Sequence, residues 1–251
     1  MRLRKEEERY ALRLITPSMV VVLGVIIVPI ITTLIYSLVN IDPLSSHKGE
    51  FAGLSFYINA LTSKVFWEDL GRTLHFTIAS TAFETVFGLL IALLLNQSFP
   101  GVRILRSIII IPWAIPTVVN GSLWKLMLNG EYGVINALLT RFHLIDSYQS
   151  WLGSPKTAMW CIVLADTWKM TPLAVIFFLA ALQGIDYTIY EAAKVDGAGA
   201  LKSFRAITLP ALKPTIMVIV VMRTVEKFKA FDIFYLMTRG GPANRDRKSV
   251  V

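Results

Sequence analysis

The sequence predicts an all-α protein that crosses a membrane several times, and three observations carry that prediction. Of 251 residues, 55% are hydrophobic and 17% are charged, whereas soluble domains carry about a quarter charged residues. The charge-poor residues are gathered into long runs, and Leu14 to Ile41 holds no charge at all. Five such runs occur, each with the roughly 20 residues that a hydrocarbon core requires. They fall at about 14–39, 73–96, 104–126, 157–182 and 214–236.

Residues 1–13 are charged and of mixed sign, a short segment ahead of the first span. The run that follows is far longer than the roughly 7–15 apolar residues of a cleavable signal, so it reads as a retained span, bent at Pro29. The second run carries Glu84 as its only acidic residue. The third contains "IIIIPWAIP", and Pro112 and Pro116 are expected to break it, because proline removes a backbone donor and crowds the preceding turn. The fourth holds Asp166 and Lys169, and the fifth turns polar after nine apolar residues. With the N-terminus in the cytoplasm, eleven lysines and arginines near span ends fall on that side and six on the other, or ten with the C-terminal tail. Without the tail, this is the positive-inside arrangement.

Several function classes are excluded. The net charge of +8 is read as a topology signal, since no basic run is interleaved with aromatics as a nucleic-acid surface would be. Cys161 is the only cysteine and lies in an apolar run, which rules out an intrachain disulfide and a cysteine metal site. His47, His75 and His143 are scattered without metal-ligand spacing, and no nucleophile elbow or zinc-helix motif is present. No catalytic or metal-binding residue is assigned, and the chain does not read as an enzyme. "GAGALKS", Gly197 to Ser203, hints at a phosphate loop, but Leu201 stands where the second glycine belongs.

The polar stretch "EAAKVDGAGALKSFRAITLP", Glu191 to Pro210, lies within a predicted cytoplasmic loop at 183–213. Thr188 and Glu191 fit a capping box, Ala192 and Ala193 let another backbone come close, and Gly197 permits a turn that a Cβ resists. Pro210 and Pro214 are expected to end a second short helix and start the last span. Two short helices at an angle would present a knuckle to the cytoplasm, serving either as a docking element or as an ordinary charged loop.

This stretch resembles the EAA motif of permease subunits of ABC importers, with Glu191, Ala192, Ala193, Asp196, Gly197, Ala198, Phe204, Leu209 and Pro210 on the pattern. "FAGLSFYINAL", "FWEDLGRTLHFT", "IIIIPWAIPTVVNGSLWKLMLNGEYGVIN", "TWKMTPLAVIFFLAALQGID" and "YLMTRGGPAN" are similar, in order, to the first-type permease of the carbohydrate subfamily, although Ser55 and Phe56 stand where Asp and Asn are usual. The resemblance implies a type I importer permease fold in a prokaryotic cell membrane. It implies a heterodimer with a second permease, two ATPase subunits that use ATP and Mg, and an extracytoplasmic solute-binding protein. This chain would bind no cofactor of its own. Glu191 would pair with a basic residue of the ATPase, and Gly197 would set the angle of the coupling loop. The implied cargo is a sugar or related polyol. The alternatives are a non-sugar solute such as glycerol 3-phosphate or its diesters or, from a different class, an ion-coupled transporter working through the Arg223–Glu226 region.

Ionisable groups inside spans are candidate path residues. Asp166 and Lys169, three apart, either pair with each other or touch cargo. Arg223, Glu226 and Lys229 either line a wet path or mark an early end of the fifth span, and Glu84 could pair with an Arg or Lys from a neighbouring span. Trp113 and Trp168 could stack on a sugar ring or sit in an interfacial belt, Trp124 fits the belt better beside Lys125, and Asn120 is a polar candidate on the broken span. The tail at 237–251 is expected on the outer side. Its last six residues, "DRKSVV", match the translation of a common sequencing-adapter segment, so 246–251 is expected to be artefact and a sixth span to be missing.

Overall fold

The structure, a computed structural model, describes residues 2–40 and 50–239, with side chains from residue 9 onward. The expectations about 246–251, about Gly241 to Asn244 and about a sixth span lie outside the described residues. The chain forms two compact units, residues 1–70 and 71–251.

In the first unit α1 (Arg2–Tyr36) is one helix through Pro17 and Pro29. It absorbs the charged residues at 2–13 that the sequence set apart, because Leu3, Leu12, Leu14 and the intervening Glu and Arg are good helix formers. From Arg9 to Tyr36 it is long and apolar enough to cross a membrane. A two-residue antiparallel pair, β1 (Val39–Asn40) with β2 (Glu50–Phe51), sets Val39 opposite Phe51. This is the only strand pairing among the described residues and a small departure from an all-α chain. α2 (Ser55–Thr62) follows, and the Ser37 and Tyr57 hydroxyls share a 2.7 Å hydrogen bond.

α3 (Lys64–Leu95) starts nine residues before the predicted span. Its first turns mix Lys64, Glu68, Asp69 and Arg72 with apolar residues, so the helix begins before the charge-poor run does, and Lys64 and Glu68 support it at i,i+4 spacing. In the second unit the third run is broken, as its prolines demand. α4 (Val102–Ile108) and α5 (Ile111–Ala114) meet α6 (Thr117–Met127) at 93° across Ile115–Pro116. α7 (Val134–Arg141) is pinned by Asn136, whose amide donates to the Asn129 and Gln149 carbonyls at 3.0 Å each and accepts from Trp151 Nε1 at 2.8 Å. α8 (Pro155–Gln183) is continuous through Pro172 and matches the predicted fourth span to within two residues at either end. α3 and α8 touch closely, for a Cβ on Gly88 would lie 2.6 Å from Ala174 Cβ.

The end of the chain corrects the predicted boundaries. α9 (Tyr187–Val195) is a separate short helix. α10 (Ala200–Ser203), a π turn (Phe204–Thr208) and α11 (Leu209–Phe228) together form one 29-residue helix. Pro210 therefore does not end a second short helix, and the span-length element is 200–228, not 214–236. The reason is local. Pro210 follows directly on the π turn, closed by Leu209 N–H on the Phe204 carbonyl, whose wider ladder gives its ring room and accommodates its missing donor. After a break at Lys229–Phe231, α12 (Asp232–Thr238) folds back against α6, with Leu236 Cβ 3.0 Å from where a Cβ on Gly121 would stand. Among the described residues four helices are long and apolar enough to span a membrane, or five if the bent pair counts as one.

Candidate functional site

Two polar regions of the second unit stand out. The first is the knuckle at 187–208. Asp186 caps α9 by accepting the Thr188 N–H at 2.9 Å. That bond holds the Asp186 carboxyl below its ordinary value of 3.8. The expected capping box on Thr188 and Glu191 is not formed, because the helix starts at Tyr187 and leaves Thr188 inside its first turn. At the other end Gly197 takes φ +73°. Ala198 N–H reaches the Ala193 carbonyl at 2.8 Å and Gly197 N–H reaches that of Lys194 at 3.0 Å, a Schellman close. Glu191, Ala192 and Asp196 are exposed, Ala193 and Ala198 partly so, and Val195 at the tip is 87% exposed. Phe204 is half-buried in the π turn, and Pro210 is exposed. A 2.7 Å hydrogen bond between the Tyr190 and Thr208 hydroxyls braces α9 against the long helix.

The second region is a polar layer between two apolar ones. One apolar cluster gathers Phe76, Cys161, Ile162, Ala165, Ile233 and Met237. The other gathers Ala92, Ala174, Phe178, Leu182, Leu212 and Ile219. On α3 and on α8 the residues between these clusters are polar: Thr77, Ser80, Thr81 and Glu84 on one, Asp166, Thr167, Lys169 and Thr171 on the other, all buried. They fall near the middle of both helices. Glu84, 0% exposed, accepts from Arg223 Nε at 2.7 Å and from Lys227 Nζ at 2.5 Å. Lys227 also pairs with Asp166, and Arg223 with Glu226. Lys169 donates to Thr117 Oγ1 at 3.0 Å, and Asn120 Nδ2 to the Ala165 carbonyl at 3.3 Å. Both contacts exist because the break at Pro116 turns the polar start of α6 towards α8.

Asp166, Lys169, Asn120, Arg223 and Glu226 thus converge on one layer, but with different partners from those weighed in the sequence. Asp166 and Lys169 do not pair with each other. Lys229, six residues from Arg223, points about 120° away on a helix of 100° per residue, and it caps the helix end, exposed. The residue that belongs with Arg223 is Lys227, which sequence reasoning passed over. Its i,i+4 spacing from Arg223 puts both on one face, and that was the available signal. Trp168, 42% exposed, meets Trp124 edge-on at 6.0 Å between ring centroids, which ties Trp124 into the bundle. Trp113 is exposed on α5, ahead of the break.

Span-length helices, a helix broken mid-span and an exposed knuckle continuous with the last span define a multi-pass membrane permease. Residues 84–246 match the family described as binding-protein-dependent transport system inner membrane component, and the chain belongs to it. The chain is therefore a permease subunit of an ABC importer, a transport component and not an enzyme. It is 39% identical over 241 residues to the trehalose/maltose transport system permease protein MalF of Thermococcus litoralis, covering 96% of this chain and 81% of that one. It is 34% identical over 232 residues to the sulfoquinovosyl glycerol transport system permease protein SmoG of Agrobacterium fabrum, covering 92% and 75%. The fold is similar to that of a bacterial ABC transporter involved in the import of the acidic polysaccharide alginate, with a TM-score of 0.77 at 24% identity over 94% of this chain and 80% of that one.

Proposed function

We propose that this chain is the first-type membrane subunit of an importer for a sugar or related polyol. In this reading its N-terminus and knuckle are cytoplasmic, and it works with a second permease, two ATPases and an extracytoplasmic binding protein. The observation that carries the reading is the continuity of the knuckle with a span. A socket on an ATPase that gripped Glu191 to Ala198 would move a helix whose other end, at Arg223 to Phe228, lies in the mid-bundle polar layer. Glu191, exposed on the first helix of the knuckle, pairs with a basic ATPase residue, while Gly197 holds the bend. Asp166, Lys169, Arg223, Glu226, Asn120 and Trp168 border the path, Trp168 offering a ring face to the apolar side of a sugar, and Trp113 is a further stacking position. The relatives named for trehalose/maltose and for sulfoquinovosyl glycerol support a glycoside cargo.

The test is uptake into proteoliposomes that hold the assembled importer, with labelled trehalose and maltose as probes and the cognate binding protein outside. Uptake that requires ATP and survives collapse of ion gradients supports the reading. Uptake that survives without ATP and stops with the ion gradient overturns it in favour of ion coupling.

A further inference from the structure

The polar layer holds its charges in a form that adhesion alone does not explain. Glu84, Arg223 and Lys227 are 0%, 2% and 2% exposed. Taking ions out of water is unfavourable enough that well-packed apolar residues usually hold helices together equally well or better. The layer is also incompletely bonded: the Thr77, Ser80, Thr81 and Thr167 hydroxyls and Asn120 Oδ1 are buried and accept or donate no hydrogen bond. Buried polar atoms without partners are rare in native folds and call for a reason. Three acidic groups (Glu84, Asp166, Glu226) balance three basic ones (Arg223, Lys227, Lys169), so no surplus charge waits for a counterion.

The placement supplies a reason. Arg223 and Lys227 lie in the last two turns of the helix that begins in the knuckle, roughly 44 Å long at 1.5 Å per residue. The Tyr190–Thr208 bond ties α9 of the knuckle to the near end of this helix. At the far end its only ionic ties to other helices, among the described residues, are those from Arg223 and Lys227 to Glu84 of α3 and from Lys227 to Asp166 of α8. Such ties have two states. Dry, at an effective dielectric near 20, they are roughly fourfold stronger than in water. Once wetted they are weak, and the five unbonded polar atoms then find partners in the entering water. Apolar contacts across the same surfaces have no comparable second state.

We infer that Glu84 and Lys227 are positioning residues of the transport cycle: with Arg223 and Asp166 they form an ionic catch on the membrane end of the coupling helix. Closed and dry, the catch holds the knuckle where the ATPases stay idle. Opened and wetted, when cargo is delivered, it frees the helix to follow them. This inference rests on the proposed importer function and adds two residues, neither of which needs to touch cargo.

The experiment measures ATP hydrolysis by the importer assembled with its second permease and ATPases in nanodiscs, with and without loaded binding protein. Glu84→Gln removes the negative charge that Arg223 and Lys227 share. Asp166→Asn with Lys227→Met replaces both partners of one pair by neutral groups of similar shape, a change that buried sites tolerate. Both variants are expected to raise hydrolysis in the absence of binding protein, within the roughly 5–150-fold span of allosteric couplings, and to shrink the stimulation that binding protein gives. Lys227→Arg, which keeps the charge, is expected to retain a low basal rate. A purely structural role would instead lower assembled yield and hydrolysis together. Assembled variants with wild-type basal rate and stimulation overturn the catch while leaving the importer function standing. Failure of both neutralising variants to assemble, beside a normal Lys227→Arg complex, also overturns it. A wild-type complex with no ATP-dependent uptake overturns the proposed function and the catch with it.

Discussion

The knuckle at 187–208 leaves Glu191, Lys194 and Asp196 in water, whereas the polar layer keeps Glu84, Arg223 and Lys227 out of it, although one helix connects the two. In the knuckle the shape comes from backbone devices: a carboxylate cap at Asp186, a left-handed glycine at 197, a hydroxyl strut at Tyr190–Thr208. In the layer the shape comes from charge, and Glu84, Asp166, Arg223 and Lys227 are each placed by a partner on another helix. A charged residue can therefore be changed alone in the knuckle at little expense to folding, whereas in the layer truncating one partner is far more harmful than neutralising a pair together. That contrast is what a docking surface and an internal contact should show.

The largest expected effect tests the layer. Glu84→Ala removes the carboxylate that two buried cations share, leaving Arg223 only Glu226 and Lys227 only Asp166, and should destabilise the chain by about 3–5 kcal/mol, read as a fall in detergent Tm and in assembled yield. Glu191→Ala, on the knuckle, should leave Tm unchanged and lower only ATP-coupled uptake. If both substitutions destabilise equally, the contrast fails. Next in size is Gly88→Leu, which pushes a side chain into the 2.6 Å approach to Ala174 and should cost about 1–3 kcal/mol by overpacking. Normal thermal stability of that variant would mean α3 and α8 are not so closely joined.

Smaller effects sharpen the knuckle. Gly197→Val forces a Cβ residue to φ +73°, with nothing within 4 Å to clash, so the penalty is backbone strain of about 1–2 kcal/mol. Membrane insertion should be normal while ATP hydrolysis is separated from uptake; normal uptake would remove the bend from the coupling role. Tyr190→Phe deletes the strut and should cost about 0.5–1.5 kcal/mol, seen as faster amide exchange at the start of the long helix and not in α8. The mildest effect is that of pH on Asp186. Its folded carboxyl lies below the ordinary 3.8, so its cap contributes fully above that value and is lost as pH falls through the lower folded one. The protection factor of the first turn of α9, which is exchange corrected for its intrinsic pH dependence, should be flat from pH 5 to 8 and fall only in acid.

The same contrast explains what could be read beforehand. The knuckle is local, so twenty consecutive residues revealed its glycine bend and its exposed face. The proline break at 112–116 was legible for the same reason. The partner of Glu84 was not, since Arg223 lies 139 residues away, and a lone acidic residue in an apolar run announces only that some cation must meet it. Lys227 was missed because a polar end to an apolar segment looks interfacial until the helix carrying it is known to begin at Ala200. That start was hidden in turn by Pro210, whose usual meaning as a helix stop is cancelled by five residues ahead of it.

Those five residues, Phe204–Thr208, have a bearing on how the chain tolerates changes of length. A π turn takes up one residue more than an α turn without rotating what lies on either side. A helical wheel drawn through 200–228 at 100° per residue is therefore one step out of phase across this segment. Losing a residue anywhere else in the helix would swing the knuckle about 100° relative to Arg223 and Lys227. Losing one here would merely tighten the turn, so the 200–228 helix carries one slack link, placed between its knuckle arm and the apolar arm that bears Arg223 and Lys227.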